Sequence, residues 1–235
     1  SRLLTVLCFF GTLCLLCTLG YCFPREPVHE EKITFRDLSE YENVDFQGFR
    51  GDIYVKEAII PEGASVIPKS QFFECRSLEK VYLPESVSGI EDYAFADCHV
   101  LKVQESIEKL SLKSVGISAF ENCYALEFVS LPDSLTVIGG AAFAECVSVN
   151  KLIFSDTSLL KKIGDHAFRG CRNLKEVYLP DSVEYVGVSA FRDCSSLEQI
   201  SVSEKIKNQP GIAELEKNCP NARIRFREVN SVEKE

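Results

Sequence analysis

Between residues 59 and 202 the apolar positions keep a fixed order that neither a lone helix nor a lone strand explains. A phenylalanine stands at Phe72, Phe95, Phe120, Phe143, Phe168 and Phe191, each three residues before Cys75, Cys98, Cys123, Cys146, Cys171 or Cys194. Three residues further on comes Leu78, Leu101, Leu126, Val149, Leu174 or Leu197. An alternating apolar pair then follows in five of the six units, as in Val81 and Leu83, or Val177 and Leu179. Alternation with period two predicts a short strand with one buried side. Pro84, Pro132 and Pro180 end three of these strands, because proline has no amide to give a ladder. A second inward apolar residue comes next, at Ile90, Val115, Ile138, Ile163 or Val186. Glycine follows four of these five, permitting a tight turn. The A-F-x-x-C segment predicts about one helical turn, with Phe and Cys on the same side.

The cysteine spacings through Cys219 are 23, 25, 23, 25, 23 and 25, so the higher-order period is 48 residues. One such unit cannot enclose a core, but stacked units cover one another, which predicts a solenoid. Its ends depart from the pattern as caps should. Ile60-Pro61 reads as a partial unit that opens the array. Residues 24–58 read as linker and cap, with a strand near Ile53–Val55. Repeats occupy 59–203, and 204–228 read as a helix-and-strand cap in which Cys219 keeps phase while Glu216 replaces the phenylalanine. Residues 229–235 read as a tail.

The stretch IGDHAFRGCRNLKEVYLP (163–180) resembles, position by position, the repeat of the BspA-type leucine-rich repeat family. That resemblance implies an α/β solenoid: a right-handed array with short parallel strands on a concave face and short helical turns on a convex face. It also implies a secreted or surface-displayed binding protein, since relatives include adhesins. Where most leucine-rich repeats carry asparagine, this chain has Ser86, Ser134 and Ser182, or Lys109, Thr157 and Lys205, so a continuous asparagine ladder is absent.

Composition changes the picture at two points. The net charge of −9 disfavours general nucleic-acid binding and docking on anionic membranes, and no Lys/Arg run stands out. Residues 1–23 are apolar apart from Arg2 and are followed by a proline and charges, which predicts a secretory signal. Thr18 and Gly20 suit the small positions before a cleavage site. The run is also long enough to span a bilayer, so an uncleaved anchor is the alternative and the only membrane contact expected.

The cysteines raise three chemistries: metal binding, disulfides or a reactive thiol. Metal sites bring ligands two to four residues apart, which the body of the chain does not do. A buried reduced ladder is the preferred reading, because free cysteine packs as a small hydrophobe; disulfides remain the alternative in an oxidising compartment. His166 stands five residues before Cys171, as a general base would, but the equivalent positions hold Ser70, Tyr93, Ser118, Ala141 and Ser189. So varied a column reads as solvent-facing, and Cys171 reads as core. No catalytic residue, metal or cofactor is assigned. The six phenylalanines and their six cysteines are assigned to the core.

Binding is expected on the strand face, at residues alternating with the buried ones: Lys80, Tyr82, Phe128, Ser130, Lys151, Ile153, Glu176, Tyr178, Gln199 and Ser201. Unit 98–122 breaks the strand pattern and is given no register. The preferred function is an interaction module with a protein ligand; a structural spacer and a thiol-dependent enzyme are the alternatives.

Overall fold

The computed structural model describes residues 31–34, 49–102, 107 and 110–228. Among these the chain is a parallel β-solenoid in which a coil carries a longer strand, from the alternating pair, and a two-residue strand. The longer strands are β1 (Lys32–Thr34), β2 (Glu57–Ile59), β4 (Lys80–Tyr82), β7 (Phe128–Ser130), β9 (Lys151–Ile153), β11 (Glu176–Tyr178), β13 (Gln199–Ser203) and β14 (Arg223–Arg227). The short ones are β3 (Val66–Ile67), β5 (Gly89–Ile90), β6 (Ser114–Val115), β8 (Val137–Ile138), β10 (Lys162–Ile163) and β12 (Tyr185–Val186). Short strands form one continuous sheet, β3-β5-β6-β8-β10-β12, whereas the longer ones form two, β1-β2-β4 and β7-β9-β11-β13-β14. The break falls at the coil from Cys98 to Cys123, which adds no longer strand among the described residues. Pairing joins equivalent positions of successive coils, as in Ile67 with Ile90 and Val115 with Ile138. The two extra residues of the long coils lie between the strands, since Cys75 to Ile90 is fifteen residues and Cys98 to Val115 is seventeen. An insertion confined to that connection leaves the strands on either side of it in register.

A column of rings runs through the core. The six phenylalanines are buried, and neighbouring centroids lie 5.2–5.5 Å apart with planes within 17°. Each buried ring stabilises the array by about 1.5–3 kcal/mol. Phe49 extends the column at 5.8 Å from Phe72, so the ring column already runs into the coil before Ile60-Pro61. Asp52 takes the cysteine position there and Val55 the leucine position. The strand placed near Ile53–Val55 lies instead at β2. The reason is local: the Asp52 carboxylate accepts from the amides of Tyr54 and Val55 at 2.7 and 3.1 Å, bending the backbone out of extension.

The helical turn expected over A-F-x-x-C does not form. Residues five and one before each of the six cysteines from Cys75 to Cys194 are left-handed, for example Ser70 (φ 56°) and Glu74 (60°), Ala141 (53°) and Glu145 (57°), His166 (59°) and Gly170 (74°). A right-handed helix cannot pass through such residues. Alternate amides point along the stack instead: those of Ser70, Phe72 and Glu74 donate to the carbonyls of Asp92, Ala94 and Ala96 at 2.8–2.9 Å. α-Helix among the described residues is confined to the C-terminal cap, as α1 (Pro210–Ala213) and α2 (Leu215–Asn218). The solenoid is therefore built of strands and turns.

Two further expectations change for the same reason. The varied column is not solvent-facing: Ser118 and Ser189 retain 4% and 8% exposure, and only Tyr93 counts as exposed, at 36%. Its members share a left-handed backbone rather than contact with water. Nor do the glycines after the short strands serve a positive φ. A Cβ on Gly139 would stand 2.5 Å from the carbonyl carbon of Gly116, and one on Gly164 would stand 2.5 Å from the amide nitrogen of Gly140. Glycine is needed because successive coils touch backbone to backbone there.

The missing asparagines are partly replaced. Ser86 and Ser134 donate to the carbonyls of Ala64 and Leu112, each at 2.9 Å, which ties a coil to the one before it.

Candidate functional site

The cysteines form a ladder of hydrogen bonds along the turn edge. Each thiol donates to the phenylalanine carbonyl of the preceding coil: Cys75 to Phe49 (2.9 Å), Cys98 to Phe72 (3.0 Å), Cys123 to Phe95 (3.2 Å), and so on to Cys219 and Phe191 (3.0 Å). The same carbonyl takes the amide of its own coil's cysteine, as Phe95 does from Cys98 at 3.2 Å. All seven thiols are buried and unbridged. Burial pushes the Cys75 thiol up to about 12 and raises the other six above their ordinary range. A thiol with so little thiolate is a poor nucleophile and a poor metal ligand. Cys171 donates its hydrogen bond to the Phe143 carbonyl at 3.3 Å. Among the described residues no group of three or more His, Cys, Asp or Glu could hold a metal.

The strand face offers a different surface. On β4, Lys80 and Tyr82 point outward, on either side of buried Val81. Phe128 and Ser130 do so on β7, Lys151 and Ile153 on β9, and Glu176 and Tyr178 on β11. Tyr178 is 54% exposed, Tyr82 45%, Phe128 38% and Ile153 37%. The interrupted row divides this set, leaving Tyr82 on the three-stranded sheet and the others on the five-stranded one. Lys32 belongs with Tyr82: its ammonium lies 5.8 Å from the ring centroid and 3.2 Å from the Glu57 carboxylate.

Two residues placed on this face by alternation are less accessible. Gln199 is half-buried, and Ser201 keeps 4% exposure. β14 lies alongside β13 here, with Arg223 beside Gln199, Arg225 beside Ser201 and Arg227 beside Ser203. From β14 the Arg227 guanidinium reaches across β13 to stack 3.8 Å above the Tyr178 ring and to pair with the Asp181 carboxylate at 2.8 Å. Arg227 also donates to the Leu179 carbonyl.

The arginines of β14 are the residues that sequence reasoning missed. RIRFR contains no basic run, but its period-two alternation puts Arg223, Arg225 and Arg227 in register with Gln199, Ser201 and Ser203. That alternation was the available signal.

A groove of about 600 Å³ opens beside Ser130 and Ile153, with Leu110, Pro132, Asp133 and Ser155 among its walls. Hydroxyl donation from Ser155 and Thr157 holds the Asp133 carboxyl below its ordinary range.

Parallel strands stacked at equivalent positions of successive coils, over columns of Phe, Cys and Leu, define a leucine-rich-repeat solenoid. The chain matches the model of the BspA type leucine rich repeat region in six copies, over residues 42–157 and 113–213, and it belongs to that family. Among solved structures it is similar to the leucine-rich repeat protein TpLRR of T. pallidum, at 27% identity and a TM-score of 0.57, covering 71% of each chain. It is also similar to a leucine-rich repeat protein from Bacteroides ovatus, at 23% identity and a TM-score of 0.53, over 88% of this chain and 71% of that one. The second likeness shows the fold alone. No curated protein matches the chain. Residues 1–23, where a signal or anchor is expected, lie outside the described residues. Among those described, no helix is long and apolar enough to cross a membrane.

Proposed function

We propose that this chain is a secreted or cell-surface interaction module that binds a protein ligand on its strand face and performs no catalysis. One observation carries the reading. On the outward side of the longer strands the chain keeps four large apolar or aromatic side chains, Tyr82, Phe128, Ile153 and Tyr178, substantially exposed. Tyrosine supplies large contact area at small entropic cost and is enriched at binding hot spots. The apolar run at 1–23, read as a signal or anchor, supports placement outside the cytoplasm.

The test is a pull-down from the cell's surroundings with the protein as bait, followed by titration of the captured ligand. Tyr82→Ala with Tyr178→Ala should weaken binding at least tenfold without moving the melting temperature. Unaltered affinity would remove this face from consideration.

A further inference from the structure

We propose that the C-terminal end of the strand face recognises an acidic, extended polypeptide segment through Lys151, Arg223 and Arg225. The inference rests on the strand face being the interaction surface and adds the chemistry of the partner.

Lys151, Glu176, Gln199 and Arg223 stand in one row across β9, β11, β13 and β14, and Ile153, Tyr178, Ser201 and Arg225 stand in the next. Arg227 is already committed to Tyr178 and Asp181. Lys151, Arg223 and Arg225 are exposed and have no ion pair among the described residues. The chain carries 35 acidic residues against 26 basic, yet among the described residues no carboxylate lies within ion-pair distance of these three cations. Glu176 lies between them, pairs with neither, and divides the positive charge into two ends.

The spacing fits an extended chain. Lys151 and Arg223 are three strand intervals apart, roughly 14 Å at about 4.8 Å each. An extended polypeptide advances about 3.3–3.6 Å per residue, so acidic side chains four residues apart meet both ends. An apolar side chain between them lies over Ile153 and Tyr178. Arginine binds carboxylates through two parallel hydrogen bonds, which favours it for this task. A nucleic acid fits less well, because its closely spaced phosphates would meet Glu176 and an acidic body. A second copy paired through β14 would set arginine against arginine.

The experiment titrates the protein, at two salt concentrations, with a labelled peptide of repeated Glu-Gly-Tyr-Gly and with its Gln-Gly-Tyr-Gly counterpart. The Glu peptide should bind at least tenfold more tightly, more weakly at higher salt, and Arg223→Gln with Arg225→Gln should abolish the difference at an unchanged melting temperature. Equal binding of the two peptides, no binding of the Glu peptide, or indifference to the arginine variant overturns the inference. If the peptides bind equally and both weaken with Tyr82→Ala and Tyr178→Ala, the strand-face reading stands while this one fails; indifference to both variants sinks the two together. Two other results also overturn it. One is displacement of the Glu peptide by an oligonucleotide or a sulfated polysaccharide at lower concentration than by unlabelled Glu peptide. The other is tenfold tighter binding after Glu233→Gln with Glu235→Gln, which would assign the arginines to the chain's own tail.

Discussion

The turn edge and the strand face belong to the same coils but obey different rules. Along the turn edge the same residues return each time, Phe then Cys, and both stay buried from Phe72 to Cys194. Along the strand face one row reads Glu57, Lys80, Phe128, Lys151, Glu176 and Gln199. A ring held about 5.3 Å from its neighbours must match their shape, whereas a side chain in water meets no such condition. The coil from Cys98 to Cys123 separates the two cases. It keeps its phenylalanine, its thiol hydrogen bond and its short strand β6, while the longer-strand row is broken there among the described residues. The turn edge and the short-strand sheet therefore carry the array, and the strand face is free to serve something else.

Alkali should break this contrast most severely. Each thiol ionises near 9.0 in the unfolded chain but is held above that in the array, to about 12 for Cys75. A raised folded value means the stabilisation is complete below about pH 9 and is lost as pH climbs toward the folded value. Each such thiol removes about 1.4 kcal/mol per pH unit in that window. The urea midpoint, followed from pH 7.5 to 10.5, should be flat and then fall steeply, with a shallower fall when Cys98 and Cys123 are alanine. A midpoint that never falls would mean the ladder tolerates thiolates.

Phe143→Ala comes next, at about 3–5 kcal/mol, because it opens a void in the middle of the ring column. Its melting temperature should fall by many degrees; an unchanged value contradicts the stacked core. Gly164→Ala should cost about 1–3 kcal/mol by overpacking, since the added carbon meets the backbone of the preceding coil. Denaturant titration measures it, and a neutral result would show that the coils can spread apart. Tyr178→Ala should be smallest, within about 0.5 kcal/mol. A large loss would show that Arg227 and Tyr178 act as a structural clasp at the C-terminal end.

Much of the fold was legible because identical demands recur in every coil. A phenylalanine that must stack on its neighbour recurs at each turn, so the period, the longer strands of the regular units and the core could be read directly. The left-handed turn edge could not, because Ser, Tyr, Ala and His were all accepted at one backbone geometry and no residue type announced it. The opening coil was hidden by Asp52, which does not look like cysteine until its hydrogen bonds are seen. The strand face was partly legible: alternation named Tyr82 and Tyr178 but could not show Arg227 crossing β13 to reach Tyr178.

The spacing of apolar residues sufficed for the solenoid, because burial of one residue type at one offset is a local pattern copied many times. The conformation of the turns, the reason for each glycine and the grouping of Arg223 and Arg225 with Lys151 depend on contacts between residues twenty to seventy positions apart. The period shows that such positions recur, but not what each one touches, which only the stacking of coils decides.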